Sequence, residues 1–222
     1  MALTKEKIFN LYIDKISVER ERRLVGRKTA DPRANFLWEE ALKTVNKDEK
    51  NVLKDAYNYS KTIVYEHPGL SAELYFAHPL RVASLAILLA DKSPVEAGVI
   101  GILHNVFEVS KTSFDEIEKR FGKEISFMLE KLTINRSLQW DAVYIKEYYS
   151  CINKLPQNAR KVKVIDKFDN LFILGLNHDK EVRSKYLDEV KKYILPNIKR
   201  DLPYMYVYFS NLIINCQKTG KL

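Results

Sequence analysis

The segment ARKVKVIDKFDNLFIL (residues 159–174) places apolar side chains at the three- and four-residue spacing of one helix face. The residues on that face are Val162, Ile165, Phe168 and Phe172. Asp166 lies on a different face, which it shares with Asn170 four residues later, and Asp169 is close by. A carboxylate held against an apolar helix is costly to bury unless it is paired or binds a metal. Asp166 is therefore expected to have a partner.

The same helical spacing recurs along the chain, and alternating strand-like segments are nearly absent, which predicts an all-α fold. Helices are predicted near residues 4–18, 35–45, 48–66, 79–91, 94–108, 113–121, 123–133, 139–153, 157–176, 181–198 and 202–217. Pro79 is assigned to a first helical turn, Ser113 and Glu116 to a capping box, and Gly122 to a helix C-cap. Residues 19–34 are interpreted as a connection.

The composition indicates one folded domain with additions at its ends. The 222 residues are 46% hydrophobic and have no low-complexity tract. We expect a helical extension at residues 1–50, the main helical domain at 51–200, and a C-terminal helix at 201–222 that packs on this domain. The extension and the Tyr-rich C-terminal helix are expected to cover the core or to form a subunit contact, and the oligomeric state stays open.

Location and partners are predicted from charge and hydropathy. Residues 1–19 lack the apolar core of a secretory signal, and the apolar stretch Val82–Ala90 falls short of the roughly 20 residues of a membrane span. A cytoplasmic protein without a membrane segment is expected, and Cys151 and Cys216 are interpreted as bystanders. The net charge of +8 favours an anionic partner, but the basic run from Arg20 to Arg33 is interpreted as a solvated face rather than a nucleic-acid stripe.

The chain has four histidines, and any imidazole site must draw on them: His67, His78, His104 and His178. His78 begins the predicted helix HPLRVASLAILLAD, and His104 lies near the end of EAGVIGILHNVFEV. Each histidine alone has an ordinary structural explanation. Two imidazoles, a carboxylate and an amide oxygen from three helices would suit Mn²⁺, Fe²⁺ or Zn²⁺ better than Ca²⁺, and such an ion favours hydrolysis.

Five segments, in order, resemble the hydrolase domain of RelA/SpoT homologues, including small stand-alone alarmone hydrolases. Residues 75–83, YFAHPLRVA, are similar to the pattern Y-x-x-H-P-x-x-V-A, and residues 103–108, LHNVFE, take the place of L-H-D-x-x-E-D. Residues 112–122 resemble a Thr-containing helix start that ends in Phe-Gly. Residues 163–170, KVIDKFDN, resemble K-L-A-D-R-L-H-N, and residues 189–196 are similar to the helix that follows.

This resemblance, over about residues 53–200, implies an all-α HD-domain helical bundle. It also implies a divalent metal, usually Mn²⁺, and a phosphorylated nucleotide substrate, (p)ppGpp, from which 3′-pyrophosphate is removed.

The metal ligands that the resemblance implies are His78, His104, Asp166 and, in place of the family's aspartate, Asn105. Glu108 corresponds to an acidic residue that helps water to attack, and Asn170 to a nucleotide-contacting asparagine. Lys163 and Lys167 are candidates for phosphate binding, or solvated lysines beside a buried stripe.

Three departures from the pattern bear on activity. Asn105 lacks the charge of the HD aspartate, Val109 replaces the second acidic residue, and residues 67–73 lack the usual Arg/Lys cluster. Lower metal affinity is expected. The chain is then a divergent phosphohydrolase, a non-catalytic nucleotide-binding or interaction module, or a protein with an engineered change at Asn105. Engineering alone would not explain Val109 or the missing cluster.

Overall fold

The computed structural model describes residues 32–67, 70–174, 177 and 179–219. The predicted helix at 4–18, the basic run up to residue 31 and His178 lie outside these residues. Within them the structure is helical, with no named β-strand and only an isolated bridge between His67 and Leu70. The predicted all-α fold is confirmed.

The first half of the described chain contains seven helices. They are α1 (Pro32–Leu42), α2 (Lys47–Thr62), α3 (Ala72–Leu89), α4 (Pro94–Leu103), α5 (Val106–Val109), α6 (Phe114–Phe121) and α7 (Lys123–Leu132). Side-chain caps fix several starts: Asn46 forms a capping box with Glu49 at α2, and Ser113 accepts from the Glu116 backbone N–H at α6. Gly122, at φ 89°, ends α6 as predicted.

The second half continues from a 3₁₀ turn at Arg136–Leu138. The helices are α8 (Ala142–Ile152), α9 (Gln157–Leu174), α10 (Lys180–Glu189), α11 (Leu195–Asp201) and α12 (Tyr206–Thr219). A π-helical turn, Val190–Ile194, joins α10 to α11, and a 3₁₀ turn, Pro203–Met205, precedes α12. The predicted helix at 181–198 is therefore continuous but locally widened.

Two predicted helix boundaries at the histidines were wrong. Helix α3 begins at Ala72 behind the Ser71 cap, so His78 and Pro79 lie inside it and not at its start. The missing N–H of Pro79 forfeits one backbone hydrogen bond, which burial of the apolar helix outweighs. The predicted helix at 94–108 is interrupted, because α4 ends at Leu103 and Asn105 has φ −107° and ψ 8°, outside the helical region.

Helices α3, α4 and α9 pack together in the core and carry the histidines and Asp166. A Cβ added to Gly101 in α4 would lie 2.7 Å from the Cα of Ala83 in α3, so glycine is what lets the two backbones approach this closely. Helix α9 buries its whole predicted apolar stripe. Phe168 of that stripe stacks on Phe209 of α12, with ring centroids 5.5 Å apart. The C-terminal helix thus covers the side of α9 that bears Phe168.

Within the described residues, α3 is the one helix that is long and apolar enough to cross a membrane. Its 18 residues have a mean hydropathy of 1.3, and 72% of them are buried inside the fold. A central core helix has these properties too, and α3 occupies that place here.

Candidate metal and nucleotide site

Three side chains that are remote in sequence meet at the centre of the bundle: His78 of α3, His104 at the end of α4, and Asp166 of α9. One ligand atom from each lies within 4.8 Å of the others. Asp166 Oδ1 is 3.3 Å from His78 Nε2 and 3.6 Å from His104 Nε2. All three side chains are buried, and together they could hold a metal ion. The structure therefore brings together three of the four predicted ligands.

The hydrogen bonding of His104 leaves one ring nitrogen for a cation. Its Nδ1 lies 2.7 Å from the carbonyl oxygen of Gly101, which can only accept, so Nδ1 carries the proton. In the neutral ring Nε2 then has a lone pair. This nitrogen is buried and has no hydrogen-bond partner among the described residues. An orphaned imidazole nitrogen that faces a carboxylate fits a metal ion placed between them.

Asp169 contacts the ring nitrogen of His78 that does not face Asp166, with Oδ2 of Asp169 lying 2.7 Å from His78 Nδ1. Arg81, one turn along α3, donates to the same carboxylate through Nε and Nη2, each at 2.9 Å. Burial lowers the pKa of His78, but hydrogen bonds to Asp166 and Asp169 outweigh it and raise that pKa to about 9. The proton on Nε2 occupies the lone pair that a metal would use, so the two compete.

Asp166 has the partners that its burial requires. It accepts from Asn170 Nδ2 at 2.8 Å and from Lys163 Nζ at 3.3 Å. Burial raises the pKa of Asp166, but the charge of Lys163 and the hydrogen bond from His78 outweigh burial and hold that pKa well below its usual range. Asp166 is therefore ionised, as a metal ligand must be.

His78 and Asp166 line a cavity of about 470 Å³ that opens to solvent, a volume within the usual range for a small-molecule site. Its polar lining includes His67, His78, Asn105, Glu108, Arg136, Lys163, Asp166, Lys167, Asn170 and Glu189. Its aromatic and apolar lining includes Leu70, Tyr75, Ile134, Trp140, Ile173, Leu174, Val182 and Tyr186. All predicted substrate-side residues therefore share one cavity.

Asn105 and Glu108 each have a neighbour that the sequence did not indicate. Asn105 Nδ2 donates to Tyr75 Oη at 2.7 Å, which leaves its carbonyl oxygen as the atom that could contact a metal. Glu108 Oε1 accepts from Arg136 Nε at 2.7 Å. Glu108 and His104 were expected four residues apart on one helix. They instead flank the break between α4 and α5, and Glu108 still lines the cavity.

The two lysines are not solvated, because Lys163 is 4% and Lys167 is 7% exposed. Lys167 Nζ lies 2.8 Å from Glu189 Oε1, and Glu189 also accepts a hydrogen bond from Tyr149. Burial lowers the pKa of Lys167, but the charge of Glu189 outweighs burial and keeps that pKa well above its usual value. Two buried ammonium groups thus stand at the cavity wall.

Sequence reasoning missed Arg81, Arg136 and Glu189, and noted Asp169 without giving it a role. One signal was available for Arg81, which is a lone charge in the apolar run of residues 80–90 and is fully buried. Such a residue requires a buried anion. Arg136 and Glu189 lie in ordinary charged segments and had no comparable signal.

Comparison with known protein families shows which part of the chain resembles a known domain. The family model described as HD domain matches residues 75–171. The matched segment contains the whole candidate metal set, together with Asn105, Glu108, Asn170 and both lysines.

Two curated bacterial relatives match more than half of this chain. The guanosine-3′,5′-bis(diphosphate) 3′-pyrophosphohydrolase of Aquifex aeolicus is 26% identical over 147 residues, which are 65% of this chain and 20% of the relative. The GTP pyrophosphokinase rsh of Brucella melitensis is 30% identical over 139 residues, which are 60% of this chain and 18% of the relative. The chain thus spans about a fifth of the length of these bacterial relatives.

Two smaller proteins match more of their own length. The guanosine-3′,5′-bis(diphosphate) 3′-pyrophosphohydrolase MESH1 of Drosophila melanogaster is 28% identical over 126 residues, which are 54% of this chain and 69% of the relative. A solved structure, described as a metazoan ortholog of SpoT that hydrolyzes ppGpp, matches with a TM-score of 0.59 at 20% identity. The match covers 80% of this chain and 98% of that one, and it confirms the HD-domain fold.

Proposed function

We propose that the chain is a divalent-metal-dependent phosphohydrolase of a phosphorylated nucleotide, with 3′-pyrophosphate removal from (p)ppGpp as its reaction. The main support for this proposal is that His78, His104 and Asp166 lie close together beside a cavity. An acidic residue and two buried lysines line the same cavity. The relatives named as 3′-pyrophosphohydrolases support this choice of substrate. A cytoplasmic location accords with such a substrate.

In this proposal His78, His104 and Asp166 hold the metal, and the carbonyl oxygen of Asn105 is a further, uncharged ligand. Nitrogen and oxygen donors suit Mn²⁺, which we propose as the native ion, as well as Fe²⁺ and Zn²⁺. When bound, such an ion supplies a water of lowered pKa and polarises a phosphoryl oxygen. Lys163 stays within 3.3 Å of Asp166 and keeps that carboxylate oriented.

The other residues bind substrate or move protons. Glu108 accepts the proton of the attacking water, and Arg136 holds its carboxylate at the cavity. Lys163 and Lys167 lower the cost of bringing phosphate charge to the cavity wall, and Asn170 contacts the nucleotide. Trp140, which lines the cavity and is 38% exposed, offers a ring face on which a base can stack.

A second candidate, from another class, is a non-catalytic nucleotide-binding module. It is favoured by the uncharged side chain of Asn105 and by the ion pair that engages Glu108 with Arg136. The cavity and the lysines would then serve binding alone.

Turnover of a nucleotide panel with Mn²⁺ separates these functions. The panel contains ppGpp, its adenosine counterpart, and GTP and GDP, which lack the 3′-pyrophosphate, and pyrophosphate release is measured. We expect release from the 3′-pyrophosphate substrates and its loss in Asp166→Asn. If neither the native chain nor Asn105→Asp turns over any member while calorimetry shows ppGpp binding, the non-catalytic function replaces the enzymatic one.

A further inference from the structure

Asp169 is a fully buried carboxylate directly behind a candidate metal ligand. Its Oδ2 contacts His78 Nδ1 at 2.7 Å, while the other ring nitrogen of His78 faces Asp166. The imidazole thus lies between two carboxylates, one on the metal side and one behind. A carboxylate in the rear position fixes the ring tautomer and makes the facing nitrogen a stronger donor.

At Asn105 and Asp169 the chain departs from the family patterns in opposite ways, because it lacks a carboxylate at the first position and has an additional one at the second. The pattern L-H-D-x-x-E-D has an aspartate where this chain has Asn105, and K-L-A-D-R-L-H-N has a histidine where it has Asp169. One carboxylate is therefore absent among the candidate ligands, and another stands behind His78. Both positions border the same metal set.

We propose that Asp169 is a positioning residue that supplies to the metal site, through His78, the negative charge that Asn105 lacks. The inference rests on the proposed metal site and concerns how this chain retains it. Asp169 contacts no metal or substrate, and it acts by orienting His78 and by increasing the donor strength of Nε2.

Arg81 makes the burial of Asp169 possible. A lone carboxylate in this apolar setting would be protonated, because burying an unpaired charge is costly. Arg81 is fully buried and donates to both carboxylate oxygens, which fixes the plane of the carboxylate and aims Oδ2 at His78. The carboxylate is the member of the pair that contacts the imidazole, so the negative end of the pair faces the metal site.

The alternative is a structural role in which the Arg81–Asp169 pair only ties α3 to α9. Stability would then depend on Asp169, and metal affinity would not. A matched control exists in Asp201, which is also buried and bonded to an arginine, Arg160, through Nε and Nη2. Asp201 lies outside the cavity lining, so its loss tests the structural effect alone.

The experiment measures Mn²⁺ affinity of the full chain without substrate, by electron paramagnetic resonance of free Mn²⁺, together with the melting temperature. We expect Asp169→Asn to weaken binding 10- to 100-fold, the usual effect of losing such an outer partner. Asp201→Asn should lower the melting temperature and leave Mn²⁺ affinity unchanged. Adding Asn105→Asp to Asp169→Asn should recover most of the lost affinity.

The outcomes separate this inference from the proposed function. If the native chain binds Mn²⁺ and Asp169→Asn binds it equally well, or if Asn105→Asp recovers nothing, the inference is overturned while the metal site stands. If the native chain binds no Mn²⁺, both fall. Should Asp169→Asn not fold, the double change Arg81→Met with Asp169→Asn removes both charges, leaves no unpaired buried cation, and is measured in its place with the same expectation.

Discussion

At the scale of single residues, the site depends on how each charged group is paired. Glu108 is 10% exposed at its side chain and ion-pairs with Arg136, which is 44% exposed. An exposed arginine can move away from its partner at little cost, because an ion pair that is open to water contributes little free energy. Glu108 is thus held at the cavity and stays available for proton transfer.

Replacing Glu108 by glutamine tests this role. We expect kcat for ppGpp hydrolysis to fall by roughly 10²- to 10⁴-fold, the usual contribution of a general base, with a smaller change in KM. Steady-state kinetics of pyrophosphate release provides the measurement. Glu130→Gln, an exposed glutamate on the neighbouring α7, is the control and should retain native kinetics. Native kcat in Glu108→Gln would assign the proton transfer elsewhere.

At the scale of elements, the metal set depends on the close approach of α3 and α4. His78 and His104 have ring centroids 5.1 Å apart, and Gly101, whose carbonyl also orients His104, lies at the contact of the two helices. A rigid backbone neighbour cannot yield to an added methyl group as a side chain can. The spacing of the histidines is therefore set by this contact.

Gly101→Ala is expected to separate α3 from α4 and to reduce both stability and Mn²⁺ affinity. The added Cβ would meet the Ala83 backbone at 2.7 Å, and overpacking of this kind costs about 1–3 kcal/mol. Gly98→Ala is the comparison, because its Cβ would meet side-chain atoms of Leu53 and Ile87 instead. Chemical denaturation and Mn²⁺ titration measure the two effects. Equal Mn²⁺ affinity in both variants and the native chain would show that the approach of the helices does not position the histidines.

At the scale of the whole molecule, buried ion pairs join distant parts of the chain. Arg160 of α9 donates to Asp201 at the end of α11 at 3.0 and 2.7 Å, and Arg200 donates to it as well. Burial raises the pKa of Asp201, but the hydrogen bonds from the two arginines outweigh burial and hold that pKa below its usual value. Stability should therefore depend on pH through this carboxylate.

A group whose pKa is depressed by folding stabilises the fold above its unfolded pKa, about 3.9 for aspartate, and that contribution is lost as pH falls through its folded pKa. We expect Asp201→Asn to be about 1–3 kcal/mol less stable than the native chain at pH 7, and the difference to shrink below about pH 4. Urea denaturation across this pH range tests the expectation. A difference that is constant with pH would mean that Asp201 acts through packing and not through its charge.

The helical class and the buried stripe of α9 could be predicted from the sequence pattern, whereas the choice of His78, His104 and Asp166 as metal ligands also needed the resemblance to a known family. The helical class and the stripe follow from local spacing, and the need of Asp166 for a partner follows from the cost of burying a carboxylate. Both can be evaluated along one segment. The cap at Ser113 and the helix end at Gly122 were predictable for the same reason.

The start of α3, the break after α4 and the groups behind the ligands depend on tertiary packing and could not be predicted from the sequence. Packing of α3 in the core outweighed the local preference of Pro79 for a helix start. The contacts of Asp169 with His78 and Arg81 span 91 and 88 residues, and that of Glu108 with Arg136 spans 28. Partners so far apart leave no periodic signal in one sequence, because their meeting depends on how whole helices pack.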